Sequence, residues 1–391
     1  MQKKYLSVYN ISLKASIVAT ALWIGIMAVF LTDIINNYQL LVNQEGLMNS
    51  MFSVGALVAL MANISLQARF KKSAIIVVFG FIAAGSLLLQ GIPMSFMLFL
   101  GTCLLMGFGS GAADSCQSAL LADLNPEDTA KQMGSLHGIF GVGGVLAPIF
   151  LSELAKHFHW RQVYVMTGLI ACVFILQFAV VSTRMNKKMT VSEHIEPKLS
   201  LADFREALKN KSFVFVLMCI FFGGAAQSGI IVWIIRYVSE FLQNPGIAAI
   251  CLSVFWVATT ISRFGAPLLP FSPAQVVGVG AILAAVVWAA AIFLGNSILI
   301  CIACGVVGLF TGSCIPMTVS MGAAIFPKAT GFSTSMLMIF KTIAQTLSPI
   351  MVAFAMESTT TRTGMYVTSI FFLLNGLFGL LLLEKKTKFK V

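Results

Sequence analysis

Residues 103–114 read CLLMGFGSGAAD, and residues 304–315 read CGVVGLFTGSCI. The two stretches share a cysteine and two glycines at a fixed offset of 201 residues, and two prolines recur at the same offset further along the chain. The matched pairs are Cys103 and Cys304, Gly107 and Gly308, Gly111 and Gly312, Pro126 and Pro327, and Pro148 and Pro349. Internal repeats in apolar sequence are typical of secondary transporters, whose solute sites lie near the midplane where the repeats meet. The pattern predicts a chain built as two related halves.

The composition places both halves in a membrane. Apolar residues make up 58% of the 391 residues and charged residues only 10%, and the mean hydropathy is +0.93. Soluble domains carry about 25% charged residues. The apolar share is roughly 227 residues, close to the roughly 240 that twelve helices of about 20 residues need. We therefore predict an all-α polytopic membrane protein with twelve transmembrane helices, arranged as two pseudo-symmetric six-helix bundles.

Apolar runs locate these helices along the chain. Six runs precede a polar stretch and six follow it, which predicts a first bundle at 1–182, a linker at 183–211 and a second bundle at 212–391. The predicted helices span 15–35, 47–66, 73–92, 95–121, 132–155, 161–182, 213–235, 245–262, 273–294, 297–322, 332–356 and 364–383. Within the linker, residues 201–208 carry apolar side chains on one helical face, so a short surface helix is expected there.

The basic residues set the orientation. Twenty of the 25 Lys and Arg residues fall on the side that holds both termini and the linker, and four fall on the other side. Short loops rich in Lys and Arg remain in the cytoplasm. We expect a multi-pass protein of the plasma (inner) membrane with both termini cytoplasmic and the lipid bilayer around it. Because these charges lie in short loops, the net charge of +11 does not indicate nucleic-acid binding.

Patterns that carry chemistry are missing from the sequence. All eight cysteines lie in apolar runs, where a small buried side chain is the usual role. Cys301 and Cys304 form a C-x-x-C without a second pair. Nucleotide-binding P-loops and the H-E-x-x-H and G-x-S-x-G motifs do not occur. We expect no enzymatic activity, no metal and no cofactor.

Two acids in apolar helices are candidates for ion coupling, because an ionisable group in hydrocarbon costs at least about 2.5–3.5 kcal/mol. Asp33 lies toward the outer end of the first predicted helix, beside Asn36. Asp114 lies within the fourth, with Gln117 on its face. Burial favours the protonated form of a carboxyl group, so these acids are suited to carry a proton. The alternatives are a capping role at the outer mouth for Asp33 and a buried ion pair for Asp114.

Candidates for solute binding lie mostly in the second half. Gln227 and Trp233 belong to the seventh predicted helix, and Lys341 and Gln345 stand one turn apart in the eleventh. His137, on a glycine-rich face of the fifth helix, is a further candidate, as are Gln117 and Asn36. A tryptophan near a midplane cavity often stacks on a sugar ring. Packing against other side chains is the alternative role for Trp233.

Lys341 is the most informative of these residues. A lysine in the middle of a membrane helix needs a carboxylate partner or an anionic ligand. An internal pair with Asp114 or Asp33 would satisfy it. A bound sugar acid or other organic anion would satisfy it equally.

Three further motifs suggest a family. Residues 62–72 read ANISLQARFKK, residues 30–34 read FLTDI, and residues 226–240 contain Gln227, Arg236 and Tyr237. The 6+6 pattern and the basic loop after the second helix resemble the major facilitator superfamily over essentially the whole chain, although this loop lacks the superfamily's aspartate. The acids at the outer end of helix 1 and after the glycine run of helix 4 are similar to those of the fucose:proton symporter subgroup. The resemblance implies that Asp33 and Asp114 couple protons to sugar uptake and that Gln227 lies at the sugar site.

These observations lead to one expectation and several alternatives. We expect a monomer that takes up a monosaccharide or close derivative by proton-coupled alternating access. The first alternative is a symporter or exchanger of organic anions (sugar acids or carboxylates) that uses Lys341. Multidrug efflux is a less supported alternative, and sodium is an alternative coupling ion.

Overall fold

The computed structural model describes residues 2–40, 42–188, 195–198 and 201–384. Within these ranges the chain is helical almost throughout and contains no strand. Twelve segments of the described chain are long and apolar enough to cross a membrane. The predicted all-α fold with twelve membrane-spanning helices is confirmed.

The helices follow one another with short connections, and two short helices, α2 and α8, do not span. Their bounds are α1 (Gln2–Val29), α2 (Leu31–Tyr38), α3 (Val42–Leu66), α4 (Lys72–Gln90), α5 (Phe96–Leu124), α6 (Thr129–Ala155), α7 (Trp160–Lys188), α8 (Leu201–Lys209), α9 (Lys211–Arg236), α10 (Pro245–Gly265), α11 (Pro273–Leu294), α12 (Ser297–Thr311), α13 (Cys314–Ile325), α14 (Thr330–Ser358) and α15 (Thr361–Glu384). A π-helical turn at Tyr237–Phe241 extends α9, and a 3-10 turn at Ala266–Leu268 follows α10. The short helix expected in the linker is present as α8.

The first helix begins much earlier than its apolar run. The expected start at residue 15 is wrong, because polar residues near the N-terminus have buried partners. Asn10 exchanges side-chain hydrogen bonds with Asn125 at 2.8 and 3.1 Å, and Ser12 Oγ donates to Gln177 Oε1 at 3.0 Å. The hydropathy pattern underestimates the length of a helix whose polar side chains make hydrogen bonds inside the fold.

Two predicted helices are broken. The run at 15–35 divides where α1 ends at Val29 and α2 begins at Leu31, and the run at 297–322 divides between α12 and α13. At the second break a Cβ on Gly312 would lie 2.5 Å from the Cα and O atoms of Thr259. The helix therefore passes directly against the backbone of α10, and hydropathy carries no signal of this approach.

The described chain forms two compact units. Among the described residues, unit 1 contains 2–40, 42–125, 142–188, 195–198 and 328–335, and unit 2 contains 126–141, 201–327 and 336–384. Each unit therefore includes a short segment from the other half of the sequence. Residues 189–194, 199–200 and the basic tail from 385 onward lie outside the described residues. The division of the chain at 183–211 and the cytoplasmic position of the tail stay predictions.

Each unit has an aromatic core. In unit 1, Trp160 packs edge-on against Phe99 and Tyr164, with ring centroids 6.4 and 5.6 Å away. In unit 2, the buried Trp288 donates from Nε1 to Thr368 Oγ1 at 2.7 Å. The contact of Phe99 with Trp160 fixes α5, which carries Asp114, against α7.

Glycines allow α3 and α5 to touch, and this contact yields a prediction. A Cβ on Gly107 would collide with the carbonyl of Phe52, whereas a Cβ on Gly101 in the same helix would meet open space. We expect Gly107→Ala to lower the free energy of unfolding by about 1–3 kcal/mol through overpacking. Gly101→Ala should be neutral or stabilise by up to about 1 kcal/mol through helix propensity. Unfolding temperatures of the two purified variants test this, and equal shifts would refute the close contact.

Candidate functional site

Asp114 belongs to unit 1 and lies on the continuous helix α5. Its side chain is half-buried. Gln117, one turn later, is fully buried and donates from Nε2 to Ser16 Oγ of α1 at 2.9 Å. Gln117 Oε1 and the hydroxyl of Ser118 are buried and make no hydrogen bond within the described chain. The predicted polar face around Asp114 therefore exists, and two of its polar atoms have unused hydrogen-bonding capacity.

Asp33 and Asn36 occupy a different environment. Both side chains are exposed on α2, and Asp33 lies in its first turn. A carboxylate at a helix N-terminus is stabilised by the helix dipole. The capping role at the outer mouth and the coupling role of Asp33 both stay predictions.

Unit 2 brings together several of the predicted solute-binding residues. Gln227 of α9 is buried and donates from Nε2 to the Thr311 carbonyl at 2.8 Å, where α12 ends. Gly224, one turn earlier, faces α14: a Cβ there would lie 3.5 Å from Lys341 Cγ and 3.8 Å from Gln345 Cγ. The side chains of Lys341 and Gln345 are half-buried. Helices α9 and α14 therefore meet at Gly224, beside Lys341 and Gln345, while Gln227 faces the end of α12.

A buried arginine that the sequence did not single out adds to this cationic character. Arg263 of α10 is 4% exposed; it donates from Nη1 to the His137 carbonyl at 3.2 Å and from Nε to the Gly312 carbonyl at 3.3 Å. Its guanidinium lies 5.9 Å from the ring centroid of Phe140. Among the described residues Arg263 forms no ion pair with a carboxylate.

His137 lies beside this guanidinium with a free ring nitrogen. The residue is 6% exposed, and its Nε2 makes no hydrogen bond in the described part of the chain. Arg263 Nη1 donates to the backbone carbonyl of the same histidine, so the buried guanidinium lies directly at this residue. Within the described residues, this part of unit 2 therefore holds a buried positive charge without a carboxylate partner, which suits an anionic or strongly polar group.

Trp233 lies farther along α9, at a cavity of about 400 Å³. Its Nε1 donates to the Pro349 carbonyl at 3.0 Å, and the guanidinium of Arg236 lies 5.7 Å from its ring centroid. The cavity is also lined by Glu240 and Glu357. Arg236 Nε donates a hydrogen bond to Glu240 Oε2 at 2.8 Å.

A buried ion cluster in unit 1 was not predicted. Lys72 Nζ lies 2.5 Å from Asp123 Oδ2 and 2.7 Å from Glu196 Oε1, and the three side chains are 2%, 7% and 3% exposed. Thr330 Oγ1 accepts from Lys72 Nζ at 3.1 Å and donates to Asp123 Oδ1 at 2.6 Å. The basic run of the loop at 69–72 was recognised from the sequence, but its partners are 51 and 124 residues away, where local patterns carry no signal.

Glu196 also caps helix α14. Its carboxylate accepts from the backbone N–H groups of Gly331 at 2.6 Å and Phe332 at 3.2 Å, in the first turn of the helix. Its own N–H donates to the Gln67 carbonyl at 3.1 Å. The linker, expected to be a surface segment, therefore contributes a buried carboxylate to the folded unit.

Comparisons with known proteins identify the family of this chain and solved structures with a similar fold. A family model described as Major Facilitator Superfamily matches residues 15–272. A comparison with curated proteins finds no significant match. Solved structures that resemble the chain include the transporter FucP in the outward conformation (TM-score 0.79, 16% identity, 97% of this chain and 99% of that one). A variant of the E. coli fucose:proton symporter FucP is also similar, with a TM-score of 0.78 and 16% identity over 96% of this chain and 99% of that one. The human organic anion transporter TETRAN is similar with a TM-score of 0.71 and 13% identity over 97% of this chain and 99% of that one.

Proposed function

The chain belongs to the Major Facilitator Superfamily and is a membrane transporter of that family, and from this premise we propose that it takes up a monosaccharide or close derivative by proton-coupled alternating access. Protonation and solute binding favour each other, so that the loaded carrier changes conformation. The direction is inward across the plasma (inner) membrane, with both termini cytoplasmic and one chain as the working unit.

One observation carries the coupling part of this proposal. Asp114 is a half-buried carboxyl on a membrane-spanning helix, and one turn later on the same helix Gln117 and Ser118 carry two buried polar atoms without hydrogen-bond partners in the described chain. A carboxyl that alternates between charged and neutral forms needs polar neighbours that can donate hydrogen bonds to the charged form and accept one from the neutral form. Gln117 and Ser118 are placed to do this. Asp114 is therefore the proton carrier, and Asp33 is a second, outer acid.

The solute-binding part rests on unit 2. Gln227, Gln345, Lys341 and His137 offer donors and acceptors for hydroxyl groups, and Trp233 offers an aromatic face at the nearby cavity. Gln117 and Asn36 remain candidates from unit 1. The FucP structures support the architecture, while their low identity leaves the solute to experiment.

A ligand screen tests the solute class directly. The purified chain is heated with neutral monosaccharides, sugar acids, small carboxylates and apolar cations at two pH values, in sodium or choline salts. A ligand at 100 times its Kd should stabilise the protein by about 2.7 kcal/mol. A neutral-sugar hit that depends on pH and not on sodium supports the proposal. A response to apolar cations alone would contradict it in favour of drug efflux.

A second candidate is an organic-anion symporter or exchanger, and the cations of unit 2 favour it. Arg263 is buried without a carboxylate partner in the described chain, and Lys341 is half-buried on α14. A buried cation is stabilised by an anionic group. A sugar acid would satisfy this environment while retaining the hydroxyl contacts of a sugar.

The Lys341→Gln variant separates the two candidates. If the solute is an anion held by Lys341, its Kd should rise about tenfold or more, because hydrogen bonds to charged groups contribute about 1.5–3 kcal/mol. The matched control is Lys328→Gln, because Lys328 is an exposed lysine just before α14. Isothermal titration of both variants measures the effect. A neutral sugar bound equally well by both variants would exclude the anionic role.

A further inference from the structure

Thr20 of α1 carries a buried hydroxyl group that its own helix does not use. The side chain is 3% exposed, and its Oγ1 makes no hydrogen bond within the described chain. A serine or threonine inside a helix can bond back to a carbonyl three or four residues earlier. Ser16 of α1 does so with Leu13, and Thr102 of α5 does so with Phe99, both at 2.6 Å. Because a buried hydroxyl without a partner is costly, the presence of Thr20 here needs an explanation other than stability.

Two hydrogen-bonded pairs fix how α1 lies against α5. The side chains of Asn10 and Asn125 are bonded to each other, and Ser16 Oγ accepts from Gln117 Nε2 at 2.9 Å. The residue number on α5 falls as the residue number on α1 rises, so the two helices run antiparallel. The four bonded residues define the face that each helix presents to the other.

Thr20 and Asp114 lie on these two facing sides, at nearly the same level. Thr20 is four residues beyond Ser16, which is about 6 Å along α1, and Asp114 is three residues before Gln117, which is about 4.5 Å in the same direction along α5. At about 3.6 residues per turn, the direction of each residue falls between the directions of the two bonded residues of its own helix. The register of the helices therefore places Thr20 opposite Asp114.

We infer that Thr20 is a positioning residue for proton transfer at Asp114: its hydroxyl supplies, from the facing helix, the hydrogen bond that orients the carboxyl group during the transport cycle. A hydroxyl group can rotate to donate to a charged carboxylate and to accept from a neutral carboxyl. Gln117 and Ser118 belong to the same helix as Asp114, so Thr20 adds a contact that α5 itself cannot provide. The inference rests on the proposed role of Asp114 as the proton carrier, but its test needs no solute.

The experiment is infrared difference spectroscopy of the full chain in lipid membranes, between alkaline and acidic buffer. The band of the protonated Asp114 carboxyl is identified by its loss in Asp114→Asn. Thr20→Val removes the hydroxyl at nearly constant shape and should move this band to higher wavenumber, because a carboxyl group that loses a hydrogen bond has a stiffer C=O bond. Thr20→Ser keeps the hydroxyl and should keep the band close to its position in the unaltered chain.

The unfolding temperature separates positioning from a structural role. Replacing a buried hydroxyl that has no partner by a methyl group should leave the unfolding temperature of Thr20→Val unchanged or raise it. The matched control is Thr102→Val, because the Thr102 hydroxyl is bonded within its own helix. This control should lower the unfolding temperature and leave the Asp114 band in place. Thr20→Ala, which also removes the hydroxyl, is a second test of the band.

The outcomes distinguish the inference from the proposed function. An Asp114 band that neither Thr20→Val nor Thr20→Ala moves would overturn the inference while the proton carrier stands. Destabilisation of Thr20→Val as large as that of Thr102→Val would also overturn it, in favour of a structural hydroxyl. If Asp114→Asn removes no titrating band, the assignment of the proton carrier fails, and the inference fails with it.

Discussion

The Asp114→Asn variant is expected to lose accumulation of solute driven by a proton gradient while it still equilibrates solute across the membrane. A one-unit pH gradient stores about 1.4 kcal/mol per proton, enough for about tenfold accumulation of a solute moved with one proton. An asparagine retains the shape and hydrogen bonds of a protonated carboxyl but carries no proton. Proteoliposomes loaded at one pH and diluted into another measure the ratio of internal to external solute.

The control for this variant is Asp128→Asn. Asp128 is exposed before α6, and asparagine is as good as aspartate at a helix start, so this change should leave accumulation intact. Unchanged accumulation in Asp114→Asn would remove the proposed proton carrier, and loss in both variants would show a defect unrelated to coupling.

The Lys72→Met variant is expected to be the most destabilising single change at the ion cluster. It leaves the buried carboxylates of Asp123 and Glu196 without their shared cation, and breaking a buried pair in this way costs about 3–5 kcal/mol. Methionine fills a similar volume, so the loss reports charge rather than a cavity. The unfolding temperature and the monodisperse fraction after purification measure it.

The neighbouring Lys71→Met provides the comparison, because Lys71 is exposed. It should unfold close to the temperature of the unaltered chain. Neutralising the acids as well, with Asp123→Asn and Glu196→Gln added to Lys72→Met, should recover part of the lost stability. Indistinguishable unfolding of Lys72→Met and Lys71→Met would contradict a buried cluster.

The hydropathy pattern of the sequence was sufficient to predict the fold. Membrane helices must satisfy their backbone internally and bury about 20 apolar residues, so composition and run length carry most of the information. The failures have local causes. The start of α1 depends on a buried Asn10–Asn125 pair, and the break between α12 and α13 lies where Gly312 approaches the α10 backbone. Both are tertiary contacts between residues far apart in sequence.

The candidate site was only partly accessible from sequence. Helical spacing placed Gln117 and Ser118 on the face of Asp114, because that relation is local. It also marked Lys341 and Gln345 as neighbours. It did not identify Arg263 as buried, since an arginine at a helix end ordinarily reaches solvent. Glu196 was missed for a similar reason: the composition of the linker indicates a surface segment, and only the fold brings its carboxylate to α14.

The central claim is that solute and proton move together, and solute-dependent proton movement tests it most directly. Weakly buffered proteoliposomes without an imposed gradient receive a solute identified in the ligand screen, and the external pH is recorded. We predict that the external solution becomes more alkaline as solute enters, and that Asp114→Asn abolishes this change. Entry of labelled solute without any change of pH would contradict proton coupling.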